Sequence, residues 1–327
     1  MKEPFLSLYR NDIPCLTDYT EHGKINIVDE HHRSLLHHAI KLGLKDAFSL
    51  LIGCYIDLDI EDDMGNTCYH YAVLHNRLSF LRILFLKGGN PMQKNKEGRT
   101  PLYLACRYGK ESIIDLYLEK YQLDMGEKDN LSQTICMALV LSGGSHLLDK
   151  YGNYLSWLEE PNYLGETPLM LAVKLENIKM TEFILSKGVF VNQKNNLGES
   201  AIFYAVRKDN RELFKVLFHA GAFLDFKNHY GETLLSLSTD RMKEYIKECR
   251  ATSFYNSYER AYPLQYAIYV NNQREIEKNL VLPYAILEDD FHYTPLQLAE
   301  KYHLMDVIKA IKHLEKQAKI QTFRTKV

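Results

Sequence analysis

"GRTPLYLACRYG", residues 98–109, decides how this chain reads. Thr100 stands where a helix N-cap belongs, and Pro101 takes the first helical position, where a missing N–H costs nothing. A short apolar run follows, with Ala105 small enough to let a neighbouring helix approach, and Gly109 ends it. The same logic returns at "GNTCYHYAV" from Gly65, "GETPLMLAV" from Gly165, "GESAIFYAV" from Gly198 and "GETLLSLST" from Gly231. The closing small residue falls at Ala39, Ala72, Ala105, Ala138, Ala172, Ala205, Ser238, Ala267 and Ala299, at spacings of 33, 33, 33, 34, 33, 33, 29 and 32. Thr67, Thr167 and Thr233 (Ser34 and Ser200 in two copies) repeat the cap, and Pro168, Pro263 and Pro295 repeat the proline. After each short helix comes a break, then a second amphipathic run such as "LSFLRILF" or "ELFKVLF". That run closes on a glycine suited to a left-handed C-cap, as in "LKGGN" and "HAGAFLD". Each unit is therefore turn, short helix, turn, longer helix and extended loop. The fold class predicted is mainly α, a solenoid of stacked helix-turn-helix units with hairpin-like loops.

The bulk composition excludes several alternatives. At 327 residues the chain has the length of about two ordinary domains. It is 46% hydrophobic and 25% charged, without low-complexity tracts, as soluble folded proteins are. A net charge of −2 does not favour binding to phosphate backbones. "MKEPFLSLYRNDIP" is acidic at once and broken by prolines, so it does not read as a signal peptide. No uncharged run approaches the roughly 18 apolar residues of a membrane span. Six cysteines are scattered without a CxxC pair, the pattern of reduced thiols in a cytosol.

Catalytic patterns are missing: the chain has no Walker loop, GxSxG, HExxH or dinucleotide fingerprint. "GGNPMQKNKEG" joins two units, and the adjacent carboxylates Glu159-Glu160 and Asp289-Asp290 do not by adjacency form an acid/base pair. No enzyme, cofactor or metal site is expected. The C-terminal "KAIKHLEKQAKIQTFRTKV" has six Lys/Arg against one Glu, which raises a nucleic-acid-associated role as the alternative. A helix end favoured by its dipole explains that tail more simply.

The copies "TPLYLACRYG", "TPLMLAV", "YPLQYAI" and "TPLQLAEKY" resemble the ankyrin repeat, whose 33-residue period and T-P-L-H-x-A signature they follow. Nine units are recognisable from about Val28, and residues 5–26 resemble the second half of a further, degenerate unit. The organisation expected is a capping half-repeat at 1–27, an array at 28–312 and a basic helix end and tail at 313–327. Two units depart from the pattern. The unit at about 128–160 has Leu131 where the hairpin glycine belongs, and the unit at about 228–258 has Ser238 for the packing alanine. Repeat stability is roughly a sum of unit and neighbour terms, so the array should open first there, with a kink near 143–162. Uniform hydrogen-exchange protection across both segments would contradict that expectation.

The resemblance implies a module that grips a partner protein through loop tips and a concave face, and that is monomeric when unbound. In the family, contacts favour the residues around the hairpin glycine and just past the motif alanine. Carried over, these are Arg33, Lys41, Met64, Asn66 and His75, then Lys96, Glu97, Arg99, Arg107 and Tyr108. The middle units contribute Tyr163, Leu164, Glu166, Lys174, Leu197, Glu199, Arg207 and Lys208. Towards the C-terminus come Tyr230, Glu232, Arg241, Tyr269, Phe291, Tyr293 and Tyr302; the aromatics Tyr230, Phe291, Tyr293 and Tyr302 read either as contacts or as packing between adjacent loops. Glu166, Glu199 and Glu232 recur in one place as an acidic stripe beside Lys174, Arg207 and Arg241. The stripe reads either as a contact surface or as pairs within the chain.

"HHRSLLHH", residues 31–38, looks at first like a metal centre. The alignment assigns its histidines differently. His37 fills the histidine slot of the signature, shared by His70. The resemblance implies that this side chain bonds the capping hydroxyl of Ser34 and the backbone of the neighbouring loop. His38 takes a packing slot, while His31 and His32 lie at the hairpin tip, with His32 in the glycine position.

Overall fold

The computed structural model describes residues 3–22, 25–54, 56–122, 124–151, 155–250, 261–269, 272–281, 284, 288–289 and 293–324, with side chains at 155–156 and 317–324 left aside. The chain divides into two compact units, Met1–Tyr163 and Leu164–Val327.

The first unit stacks helix pairs. Short inner helices Leu35–Leu42, Cys68–Leu74, Pro101–Arg107 and Ile135–Leu141 lie side by side, each followed by an outer helix: Lys45–Gly53, Leu78–Lys87, Glu111–Leu118 and Ser145–Tyr151. Residues 3–21 form a complete further pair, not the half-repeat expected. Asn11 adopts positive φ and Asp12 caps the second helix by accepting from the N–H of Cys15, so the stretch breaks into Glu3–Tyr9 and Ile13–Glu21. The first packs on the inner row and the second on the outer row. In the outer row Phe48 stacks on Phe80 with ring centroids 4.1 Å apart.

Local chemistry sets each helix start. The hydroxyls of Thr100, Thr134, Thr167 and Thr294 accept from the third N–H of their helices at 3.1, 3.2, 3.3 and 3.3 Å. Each such cap contributes about 1 kcal/mol. His37 and His70 act as the resemblance implied. His37 Nδ1 meets the Ser34 hydroxyl at 2.8 Å and accepts from the Ser34 N–H at 3.1 Å, and its Nε2–H donates to the Asn66 carbonyl of the next repeat at 3.1 Å. His70 repeats this with Thr67 and Arg99, both at 3.0 Å.

The loops turn on an acidic or amide side chain that the sequence pattern did not single out. Asp29, Asp62, Asn95, Asp129, Asn195 and Asn228 each accept from the N–H groups two and four residues on. Their spacing of about one repeat carried that signal. Glycine follows at positive φ, as at Gly98, where a Cβ would sit 3.0 Å from the backbone nitrogen of Asn130. In the fourth repeat Ser132, not Leu131, holds the left-handed position (φ 55°), and His32 does so in the first (φ 56°). Leu131 is therefore a tip residue, one place before the turn. A non-glycine residue in this conformation costs about 1–2 kcal/mol, in the first repeat as in the fourth.

The second unit begins with the same inner and outer pairs: Pro168–Lys174 with Ile178–Ser186, and Ala201–Arg207 with Arg211–His219. A shortened inner helix, Leu234–Leu237, and Asp240–Arg250 follow. Two more pairs complete it: Pro263–Tyr269 with Gln273–Asn279, and Pro295–Lys301 with Met305–Arg324. These last two repeats do more than stack on their sequence neighbours, which is all that a regular array requires. They close onto the loops that leave Ile178–Ser186 and Arg211–His219. Phe190 stacks on Tyr269 (centroids 5.0 Å apart) and meets Tyr293 edge-on (5.1 Å), while Phe223 packs against Tyr266 and Tyr269. Lys194 donates to the Tyr269 carbonyl at 2.5 Å, with its ammonium over the rings of Phe226 and Tyr302. Burial lowers the Lys194 pKa to about 8. The ring faces offset part of the desolvation, by about 1–2 kcal/mol.

Candidate protein-binding face

Loop tips in each unit are joined by a backbone ladder. In the first, the N–H groups of Asp63, Lys96, Asn130 and Tyr163 donate to the carbonyls of His31, Met64, Glu97 and Leu131 at 3.1, 2.9, 2.9 and 3.1 Å. In the second, Asn196 and His229 donate to Leu164 and Leu197 at 3.0 and 2.9 Å. The ladder sets the tip side chains in register. Met64, Leu131 and Tyr163 stand exposed in the first unit, and Leu164, Leu197 and Tyr230 in the second. Tyr230 is 74% exposed, too open to serve as packing between loops. Solvent-facing aromatic and aliphatic groups in a fixed row suit a protein contact, since rigid side chains lose little entropy on binding.

Behind the tips, the inner helices end in Lys41 and Leu42, Leu74 and His75, and Arg107 and Tyr108, all reaching solvent. Lys174, Arg207, Lys208 and Arg241 are exposed in the second unit. Several other predicted residues are engaged within the chain. Arg33 pairs with Asp29 at 2.8 Å, and Arg99 with Glu97 and the buried Asp129 at 2.7 and 3.0 Å. Burial works against the charge of Asp29, but bonds from Arg33, the His31 N–H and His38 hold its carboxyl well below the usual range. Asn66 accepts from the amide of Asn95, and Lys96 donates to the Asp63 carbonyl.

The acidic stripe is not an exposed surface. Glu166 and Glu199 turn inward, 4% and 0% exposed. Glu166 accepts from Lys174 at 2.9 Å and from the Tyr204 hydroxyl at 2.8 Å. Glu199 accepts two bonds from Arg207 at 2.5 Å and one from Asn228 at 2.8 Å. Glu232, half-buried, accepts from Asn228 and lies 3.6 Å from Arg207. A carboxylate shut from water must be paired, and the basic residue eight places on supplies the partner to both Glu166 and Glu199. Of the two readings of the stripe, Glu166 and Glu199 follow that of pairs within the chain; they are framework and not contact surface.

Of the C-terminal aromatics, Tyr293 and Tyr302 take the packing reading, while Tyr269, carried over as a contact residue, does not reach solvent. Tyr293 packs on Phe190 and lies 3.2 Å from the Lys301 ammonium; Tyr302 packs on Tyr269 and Lys194; Tyr269 is fully buried. They close the junction described above, Tyr269 buried and Tyr293 and Tyr302 half-buried in it. Phe291 lies outside the described residues.

The four early histidines do not converge. His31 and His32 approach Asp63 at 3.2 and 2.9 Å, His37 staples, and His38 bonds Asp29 at 3.0 Å and the Tyr9 hydroxyl at 2.8 Å. Among the described residues no group of three His, Cys, Asp or Glu is placed to hold a metal ion. No described helix is long and apolar enough to cross a membrane.

A family model described as ankyrin repeats, in three copies, matches residues 6–95 and 145–228, and a single ankyrin-repeat model matches 97–124. An ankyrin repeat protein of Rickettsia bellii is 34% identical over 114 residues, covering 34% of this chain and 63% of that protein. Human B-cell lymphoma 3 protein is 27% identical over 168 residues, covering 50% of this chain and 30% of that protein. The matches thus span less than two thirds of these relatives. Among solved structures, the ankyrin repeat domain of Bcl-3 superposes with TM-score 0.53 at 24% identity, over 67% of this chain and all of that one (100%). The human ASB11 ankyrin repeat domain gives 0.57 at 22% identity, over 67% of this chain and 99% of that one. At these identities the structural likeness concerns the fold.

Proposed function

Because this chain belongs to the ankyrin-repeat family, we propose that it is a non-enzymatic binding module that covers a surface of a partner protein with its concave face and loop tips. The observation that carries this reading is the tip ladder. It holds Met64 and Leu131 in the first unit, and Leu164, Leu197 and Tyr230 in the second, exposed and aligned while the helices behind them are consumed in packing. Covering a surface suits an inhibitor, an immunity protein against a toxin or a host-directed effector as well as a scaffold. The setting is a reducing cytosol, of the producing cell or of a host. All six cysteines are free, with Cys68, Cys106, Cys136 and Cys249 buried.

The test is affinity capture with the wild-type chain beside a variant carrying Met64→Ser, Arg107→Glu, Tyr108→Ala, Leu197→Ser and Tyr230→Ser. These side chains are exposed or half-buried, so melting temperature should change little, while the captured partner should be lost. The same partner on both chains, or none on the wild type, counts against the reading.

A further inference from the structure

The two units treat one recurring position differently. Lys41, Arg107, Lys174 and Arg207 each stand two places after a motif alanine. In the second unit Lys174 and Arg207 receive Glu166 and Glu199, each eight residues earlier. In the first unit that earlier place holds Arg33 and Arg99. Their own carboxylate partners, Asp29 for the one and Asp129 and Glu97 for the other, are spent on them. Among the described residues Lys41 and Arg107 therefore have no carboxylate partner.

The surroundings add cations and apolar area. The four inner helices Leu35–Leu42, Cys68–Leu74, Pro101–Arg107 and Ile135–Leu141 contain no Asp or Glu. Arg77 lies against the end of the first, donating to the carbonyls of Ile40 and Lys41 at 3.1 Å. Burial, then the charges of Lys41 and Arg77, lower the basicity of His75, which places these groups together. Leu42, Leu74 and Tyr108, at the ends of the same inner helices, are exposed.

We propose that the concave face of the first unit recognises an acidic, amphipathic segment of the partner protein. Its carboxylates seat on Lys41 and Arg107 as Glu166 and Glu199 seat on Lys174 and Arg207, and its apolar side chains seat on Leu42, Leu74 and Tyr108. The inference rests on the binding reading above and adds the chemistry of the partner. The two cations are two inner-helix spacings apart, about 20 Å, a span that about six extended residues bridge.

Fluorescence anisotropy on the full chain tests it, with two labelled peptides of about 15 residues, one of Glu-Leu-Ser triplets and one of Lys-Leu-Ser triplets. The acidic peptide should bind at least about tenfold more tightly than the basic one, and less tightly as salt rises. Lys41→Glu with Arg107→Glu should weaken it about tenfold. Lys215→Glu, exposed on the outer helix Arg211–His219 of the second unit, should leave it unchanged. Should the double glutamate variant fold poorly, Lys41→Gln with Arg107→Gln removes the charges alone and should still weaken binding severalfold. Equal binding of the two peptides, or an unaffected double variant, overturns the inference. A protein partner held equally by wild type and double variant overturns it while leaving the binding reading intact; failure to hold any partner or peptide overturns both.

Discussion

Phe190→Ala is expected to release the last two repeats from the second unit while the preceding pairs stay folded. Phe190 is 3% exposed and touches Tyr269, Tyr293 and the ammonium of Lys301. Removing a buried phenylalanine costs about 3–5 kcal/mol, from lost transfer energy and the cavity left behind. Here the loss falls on one seam, because the ring joins the loop after Ile178–Ser186 to the helices Pro263–Tyr269 and Pro295–Lys301. Hydrogen exchange should therefore accelerate in those two helices, with Ala201–Arg207 little changed. A uniform loss of protection across the unit, or a cost below about 1 kcal/mol in urea unfolding, would show that the seam is not a separable contact.

The second large effect is on acid stability. Burial lowers the His37 pKa from 6.5 to about 4, since its ring is closed off between Ser34 and the Asn66 carbonyl. A histidine whose folded pKa lies below its unfolded value stabilises the protein as the neutral ring. That contribution is fully present above about pH 6.5 and is lost as pH falls to about 4, some 3 kcal/mol in all. The last repeat offers a replacement that does not titrate. Gln297 occupies the same slot, and its Oε1 accepts from the Thr294 N–H at 2.8 Å. His37→Gln should keep stability near pH 7 within about 1 kcal/mol and make the decline between pH 6.5 and 4.5 shallower by about 2–3 kcal/mol. Asp29 and the other acidic groups titrate in both proteins and cancel in the difference. Parallel pH curves for wild type and variant would contradict this assignment.

How far the sequence reveals this molecule depends on how local each determinant is. Thr100 and Pro101 mark a helix start by their own chemistry, and His37 by its place three residues past Ser34, so the repeats are legible. Leu131 misled because a strict 33-residue step from Gly98 lands on it, whereas the turn is closed one residue later by Ser132. The Asp129 side chain, accepting from the N–H groups of Leu131 and Gln133, makes that turn possible without glycine. Glu166 and Glu199 sit where a surface charge belongs, and only the fold shows them turned inward onto Lys174 and Arg207. Tyr293 and Tyr302 misled for a related reason: they occupy binding positions in a regular array, and this array is not regular at its end. A signal was present, since Phe190 and Phe223 stand where earlier repeats have Asp57, Asn90 and Asp124, and Phe226 adds a third aromatic to these loops. Aromatics in such loops call for a cover, but what covers them lies about 75 residues away along the chain and follows from no local rule, as the Lys194–Tyr269 bond shows.

The central claim is that partner proteins are held on the concave face and tips, not on the outer helices. Hydrogen exchange on the complex with a captured partner measures this most directly. Protection should rise at residues 41–43, 74–77 and 107–110, and at the tips around Met64, Leu197 and Tyr230. Protection that rises instead along the outer helices Lys45–Gly53, Leu78–Lys87 and Glu111–Leu118, with the tips unchanged, would contradict the account.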